Sequence, residues 1–183
     1  VFQGESILGK PPAEIIRRGI QMSFIPEDRL GMGLVAGMDI VENVMLKTFR
    51  RGKTPFIDRS SGRRDAERIV RDYSIDTPSV GHIVKKLSGG NIQKVVVGRE
   101  FLQENDLLVI EDPTRGIDVG AIEFIWQKII QIAEAGVSVL LVSHELGEVM
   151  ELSDRILVMY NGEITGDLLN TAGLDEQTVG MYM

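Results

Sequence analysis

The chain has 183 residues, a formal net charge of −7 from 20 basic and 27 acidic side chains, 43% hydrophobic residues and no cysteine. Length and composition describe a globular domain with a core, and exclude a disordered tail, a disulfide scaffold and a thiolate metal site. No apolar run approaches the roughly 18 residues of a membrane helix, and net acidity argues against bulk nucleic-acid binding. The basic pairs Arg17–Arg18, Arg50–Arg51, Arg63–Arg64 and Lys85–Lys86 are scattered among acids and read as solvated surface.

Val1-Phe2-Gln3 reads as a strand. Pro11-Pro12 opens a short helix over Ala13–Arg18 that Gly19 closes. A strand follows at Ile20–Ile25, then a glycine-rich loop from Gly31 to Gly37. Ser60 is a candidate cap for a helix with Ala66, Ile69, Val70 and Tyr73 at helical spacing. Leu107–Ile110 is a continuous apolar run of buried-strand length. Asp118 caps a long helix carrying Ile122, Ile125, Ile129 and Ile132, which ends at Gly136. Val137–Val142 is a second buried strand, so strand, crossover helix and strand make a βαβ unit with a parallel sheet. Arg155–Tyr160 and Glu163–Thr165 flank Asn161-Gly162, a tight hairpin signal. The fold class is α/β, with a helix-rich stretch over residues 38–104 lying between strands.

Three segments carry chemistry. Leu87-Ser88-Gly89-Gly90-Asn91 opens a helix with a serine and two glycines, whose backbone N–H groups can approach an anion. A plain serine-capped helix has the same local pattern, so the weight lies in the acids and the histidine further along the chain. Glu111 and Asp112 end the first buried strand, where parallel sheets bind ligands; one carboxylate can hold a phosphate-bound Mg²⁺ and the other polarise a water. His144 comes just after the second buried strand and is expected beside those carboxylates. His82 has no such context.

The order LSGGN, an apolar strand ending in two acids and Pro-Thr, Arg-Gly-Ile-Asp-Val-Gly-Ala, then Ser-His resembles an ABC transporter ATPase domain. Phe24-Ile25-Pro26-Glu27-Asp28-Arg29, Gly33-Leu34-Val35, Glu42-Asn43 and Leu152-Ser153-Asp154-Arg155-Ile156 are similar to the second ATPase half of tandem-domain importers for simple sugars and nucleosides. Gly120–Ile125 leans toward the nucleoside branch. The resemblance implies a P-loop NTPase-like core of parallel sheet and flanking helices, with residues 1–37 and 105–183 as an incomplete nucleotide-binding core and 38–104 as an inserted helical subdomain.

It also implies ATP and Mg²⁺ as cofactors. Ser88, Gly89, Gly90 and Asn91 become the signature loop, which contacts ATP held by the opposite domain of a head-to-tail pair, with Asp118 in the loop crossing that interface. Asp112, His144 and Glu27 take catalytic roles: general base, switch histidine and the position that reaches Mg²⁺ and water. Glu111 becomes the metal ligand. The implied partners are a second ATPase domain, membrane-spanning permease subunits and, indirectly, a solute-binding protein, with no nucleic acid, at the cytoplasmic face of the membrane.

Two departures stand out. The strand-end acids run Glu111 then Asp112, the reverse of the usual order, so the general-base side chain is one methylene short. A misplacement of about 1 Å costs on the order of 10²-fold in rate. Nor is there a Gly-x4-Gly-Lys-Ser/Thr phosphate loop. Gly4, Gly9 and Lys10 match its first part but Pro11-Pro12 follow, and Gly52-Lys53-Thr54 has Lys47 where the first glycine belongs. The resemblance therefore implies a P-loop upstream of Val1, and the chain is expected to be a truncated domain, inactive alone. Two other readings are a soluble ABC-type ATPase of DNA repair or translation, and a non-catalytic half that lends only its signature loop.

Overall fold

The computed structural model describes residue 2, residues 4–48 and residues 58–183. Three parallel strands, β1 (Met22–Ile25), β2 (Leu107–Glu111) and β3 (Ser138–Val142), form one sheet in the order β1-β2-β3. Ile25 lies opposite Ile110, and Glu111 opposite Val142, so the three carboxyl ends finish nearly flush. Leu108 and Ile110 of the central strand are fully buried, as are Ile25 and Ile125. The crossover between β2 and β3 is α5 (Val119–Glu134), whose buried stripe Ala121, Ile125 and Ile129 follows the helical period.

Between β1 and β2 lie α2 (Ile40–Thr48), α3 (Arg59–Asp72) and α4 (Gly89–Glu100), with an antiparallel bridge between Asp39 and Ile83. Helices α3 and α4 approach closely at Gly98, where a Cβ would lie 2.5 Å from Ile69 Cγ2. The buried Glu100 carboxylate is compensated by Arg99 at 2.7 Å and Lys47 at 3.0 Å, which ties α4 to α2. Short α1 (Pro12–Arg17) precedes β1.

A second, two-stranded sheet stands apart: β4 (Arg155–Tyr160) and β5 (Glu163–Leu169) pair antiparallel. Asn161 (φ 49°) and Gly162 (φ 82°) both take the left-handed conformation that a two-residue I′ turn requires. Ile156 and Val158 share a small core with Val179 of α7 (Glu176–Gly180) and with Leu146 and Val149 of α6 (Leu146–Leu152). Among the described residues, no helix is long and apolar enough to cross a membrane.

The α/β reading, the βαβ unit and the hairpin hold, with five local corrections. Strand β3, expected as a buried strand over 137–142, runs Ser138–Val142 with no fully buried residue, because among the described residues it pairs with β2 alone. Strand β1 starts at Met22 rather than Ile20, because Gln21 is held by Asp106, whose Oδ2 accepts its N–H at 2.8 Å. The cap of α3 is Asp58, not Ser60: Asp58 Oδ1 accepts from Ser60 N and Ser61 N, and from the Ser60 hydroxyl at 2.6 Å. A carboxylate is the stronger acceptor, so the serine is demoted to a donor. The glycine-rich stretch begins within a π-type turn, Arg29–Gly33, capped by Asp28. Strand β5 continues past Thr165 to Leu169. Phe2 makes only a tight-turn bridge to Glu5, while Val1, Gln3, Arg50–Arg51 and Gly52-Lys53-Thr54 lie outside the described residues.

Candidate functional site

Parallel strands that end flush place the residues just beyond them in one neighbourhood. Glu27 lies just past β1, Glu111 ends β2, Asp112 succeeds it, and His144 comes two residues after β3. Asp112 leaves its strand in the left-handed region (φ 41°), which asparagine and aspartate tolerate better than most residues. Its N–H still donates to Val142 O at 2.9 Å, so the turn stays anchored to β3. The carboxylate is buried and swung toward the β3–α6 turn. Oδ1 accepts the His144 backbone N–H at 2.9 Å, and Oδ2 lies 2.7 Å from His144 Nδ1. The imidazole itself remains 80% exposed.

Arg115 supplies the counter-charge. Its guanidinium donates to Glu27 and lies 3.9 Å from Asp112 Oδ2, so both carboxylates share one cation. Asp112, Thr114, Arg115, Ser143, His144 and Glu148 line a cleft of about 290 Å³. That is about the lower end of the range of small-ligand pockets.

The serine-glycine loop forms a second constellation. Ser88 caps α4: its Oγ accepts from Asn91 N at 3.3 Å and Asn91 Nδ2 at 3.0 Å. Asn91 Oδ1 accepts from Asp76 N, which pins the loop before it. Asp118 caps α5 through Ala121 N at 3.0 Å. A Cβ at Gly90 would lie 2.9 Å from Asp118 Oδ2 and 3.2 Å from Ala121 Cβ, and one at Gly89 would lie 3.4 Å from Gly116 O. Much of the space these glycines leave is therefore filled from this chain's own 116–121 segment.

Arg29 links the two groups. Its Nε donates to Gln93 Oε1 of α4 at 2.7 Å, and its Nη2 donates to the Arg115 carbonyl. Burial pulls its pKa below the ordinary guanidinium value, with the charge of Glu27 acting in the opposite direction.

The structure thus gathers Glu27, Asp112 and His144 around Arg115, and separately Ser88, Gly89, Gly90, Asn91 and Asp118. Glu111 joins neither group: its side chain makes no hydrogen bond or ion pair among the described residues. Among the described residues, no group of three or more carboxylates and histidines converges as a metal cage either. Mg²⁺ is commonly held by one or two carboxylates plus phosphate oxygens and water, so Glu111 fits as one ligand of a phosphate-borne ion and not as a site by itself. Lys10, the nearest match to a P-loop lysine, is engaged by Glu14 at 2.8 Å, and prolines occupy the turn behind it.

Sequence reasoning missed Arg115, Arg29 and the buried Glu148. Arg115 was within reach, since it stands three residues after Asp112 in a polar run. The Gln93 partner of Arg29 and the Trp126 partner of Glu148 come from distant elements and leave no local signal, while Ser143 is near Glu148 in sequence.

No family model matches the chain. The ribose import ATP-binding protein RbsA 1 of Rubrobacter xylanophilus is 38% identical over 184 residues, 99% of this chain and 36% of that protein. The guanosine import ATP-binding protein NupO of Bacillus subtilis is 39% identical over 187 residues, 100% of this chain and 36% of the relative. The xylose import ATP-binding protein XylG of Moorella thermoacetica is 40% identical over 176 residues, 96% and 34%. The chain therefore spans about a third of the length of the curated relatives it matches. In structure it is similar to the ATP-binding cassette MJ0796, solved as a dimer bound to ADP and Pi: TM-score 0.73, 20% identity, 88% of this chain and 68% of that one.

The fold is accordingly the α/β fold of ABC ATPases. The sequence is that of an ABC transporter ATP-binding domain related to ribose, xylose and nucleoside importer ATPases.

Proposed function

We propose that the chain is the part of an importer ATPase that supplies a signature loop and a switch histidine to ATP sites, and so energises uptake of a simple sugar or nucleoside. The observation that carries this is the convergence of Glu27, Asp112 and His144 at three parallel strand ends, joined through Arg29 to the helix that Ser88-Gly89-Gly90 opens. In this reading Asp112 is the general base and His144 meets the γ-phosphate. Glu27 reaches toward Mg²⁺ and water, and Glu111 ligates the ion. Ser88, Gly89, Gly90 and Asn91, with Asp118, face the nucleotide of a second ATPase domain in a head-to-tail pair. The dimeric form of the similar cassette supports that pairing.

The chain answers to the second half of a tandem-domain protein, peripheral on the cytoplasmic face of the membrane. Residues 1–37 and 105–183 form its nucleotide-binding core and residues 38–104 a helical subdomain contacting the permease. A solute-binding protein delivers the cargo. The phosphate cradle comes from residues outside this chain, which alone neither binds ATP tightly nor hydrolyses it. A second reading, a non-catalytic half, draws support from Asp112: the side chain is short, and both its oxygens are spent on His144.

The test is ATP hydrolysis by the full-length protein with its permease in lipid vesicles. His144→Ala is expected to lower hydrolysis at least tenfold, the worth of one charge-assisted hydrogen bond (~1.5–3 kcal/mol). Unchanged hydrolysis and transport refute the catalytic reading.

A further inference from the structure

Glu148 is 2% exposed, yet it sits in the first turn of α6, where a carboxylate gains from the helix dipole while still in water. Its burial has another purpose. Neither oxygen caps α6. Oε2 accepts from the Ser143 hydroxyl at 2.6 Å and Oε1 from the indole Nε1–H of Trp126, on α5, at 2.9 Å. Ser143 Oγ in turn accepts from Glu145 N at 3.1 Å. The turn around His144 is thus held at three successive residues: Asp112 fixes His144 itself, Glu148 fixes Ser143, and Ser143 fixes Glu145. An imidazole that is 80% exposed has almost no packing to orient it, so its direction rests on these hydrogen bonds.

We propose that Glu148 is a positioning residue for His144, acting through Ser143, and that its bond to Trp126 makes this tryptophan a reporter of the site. The proposal rests on the ATPase reading only for its catalytic consequence. The link itself requires no nucleotide.

The experiment uses full-length protein labelled with 5-fluorotryptophan, in which the ¹⁹F resonance lost in Trp126→Phe is assigned to Trp126. Ser143→Ala leaves the Glu148–Trp126 bond intact and removes only the arm to the turn. Glu148→Gln keeps its carbonyl on the indole, which only donates, and turns its NH₂ toward Ser143, whose hydroxyl must then accept. In nucleotide-free protein, Ser143→Ala is expected to shift the Trp126 resonance. With ATP, both variants are expected to lose about tenfold in kcat, one displaced turn's worth, while KM stays within about twofold. The double variant is expected to lose no more than the worse single, since both cut one link.

A Trp126 resonance indifferent to Ser143→Ala overturns the proposal, as do additive losses or a risen KM with kcat unchanged. If His144→Ala leaves hydrolysis intact, the ATPase reading falls, and the nucleotide-free resonance still decides the link. Should Glu148→Gln fail to fold, the partly exposed Ser143→Ala carries the test alone.

Discussion

Replacing Asp112 with asparagine changes one atom of the site. Asparagine tolerates the left-handed backbone at this position, so the turn is retained. Its Oδ1 still accepts the His144 N–H that lies 2.9 Å from Asp112 Oδ1. The other atom becomes an NH₂ group facing His144 Nδ1 across a 2.7 Å contact. A carboxylate oxygen only accepts, so in the native site Nδ1 carries a proton. In Asp112→Asn two donors would collide, and the ring must give up its Nδ1 proton so that Nδ1 can accept. The exchange gives up a charge-assisted hydrogen bond, worth ~1.5–3 kcal/mol. Loss of the 3.9 Å approach of Arg115 adds little, since that guanidinium is largely exposed. Hydrolysis at saturating ATP by the full-length protein should therefore fall about 10- to 100-fold. Nitrogen NMR of the imidazole should show Nδ1 deprotonated in the variant. An unchanged rate refutes the general-base role and favours the non-catalytic half, and an Nδ1 still bearing its proton refutes the geometry.

Ser88→Arg should abolish nucleotide-driven pairing of the two ATPase domains, because it removes the cap accepted from Asn91 (~1 kcal/mol) and places a bulky cation at the loop; normal transport by the variant excludes this use of the loop. Tyr73, edge-on to Phe124 at 5.6 Å, has its hydroxyl pushed up to about 12 by burial and then by Asp72. A raised folded-state pKa means stability fully present below pH 10 and lost as pH rises from about 10 to 12; denaturation across that window should show a decline that Tyr73→Phe lacks, and parallel curves refute it. Among the described residues β3 pairs only with β2, and it exposes Leu140 and Val142 to 51% and 49%. The 183-residue chain alone should therefore self-associate through that open edge, and sedimentation as a clean monomer with a cooperative melt contradicts this.

The legible part of the fold rests on short-range rules. Apolar runs at 107–110 and 137–142 with a helical stripe between them force neighbouring parallel strands, and residues just past such strands must meet. Asp112 and His144, about thirty residues apart in sequence, could therefore be placed together from the order of residues alone. The hairpin was legible at its turn and not at its length. Gly166-Asp167 breaks the apolar alternation, yet pairing continues because Arg155 grips Asp167 through two contacts of 2.7 and 2.5 Å, a cross-strand link that no window along the chain reveals. The same holds inside the site. That Asp112 turns left-handed, that Arg115 reaches back to Glu27, and that Glu148 is buried between Ser143 and Trp126 all depend on how α5, α6 and the strand ends approach one another. Gly90 shows the limit most clearly. Its sequence context, a serine-glycine-glycine helix start, points outward to an anion, while its packing against Asp118 and Ala121 points inward to α5. Both are consequences of one missing Cβ, and in the proposed function a loop that meets a partner's nucleotide has to be held rigidly from behind. The inward contact is therefore the physical condition for the outward one, and a substitution at Gly90 strikes both together.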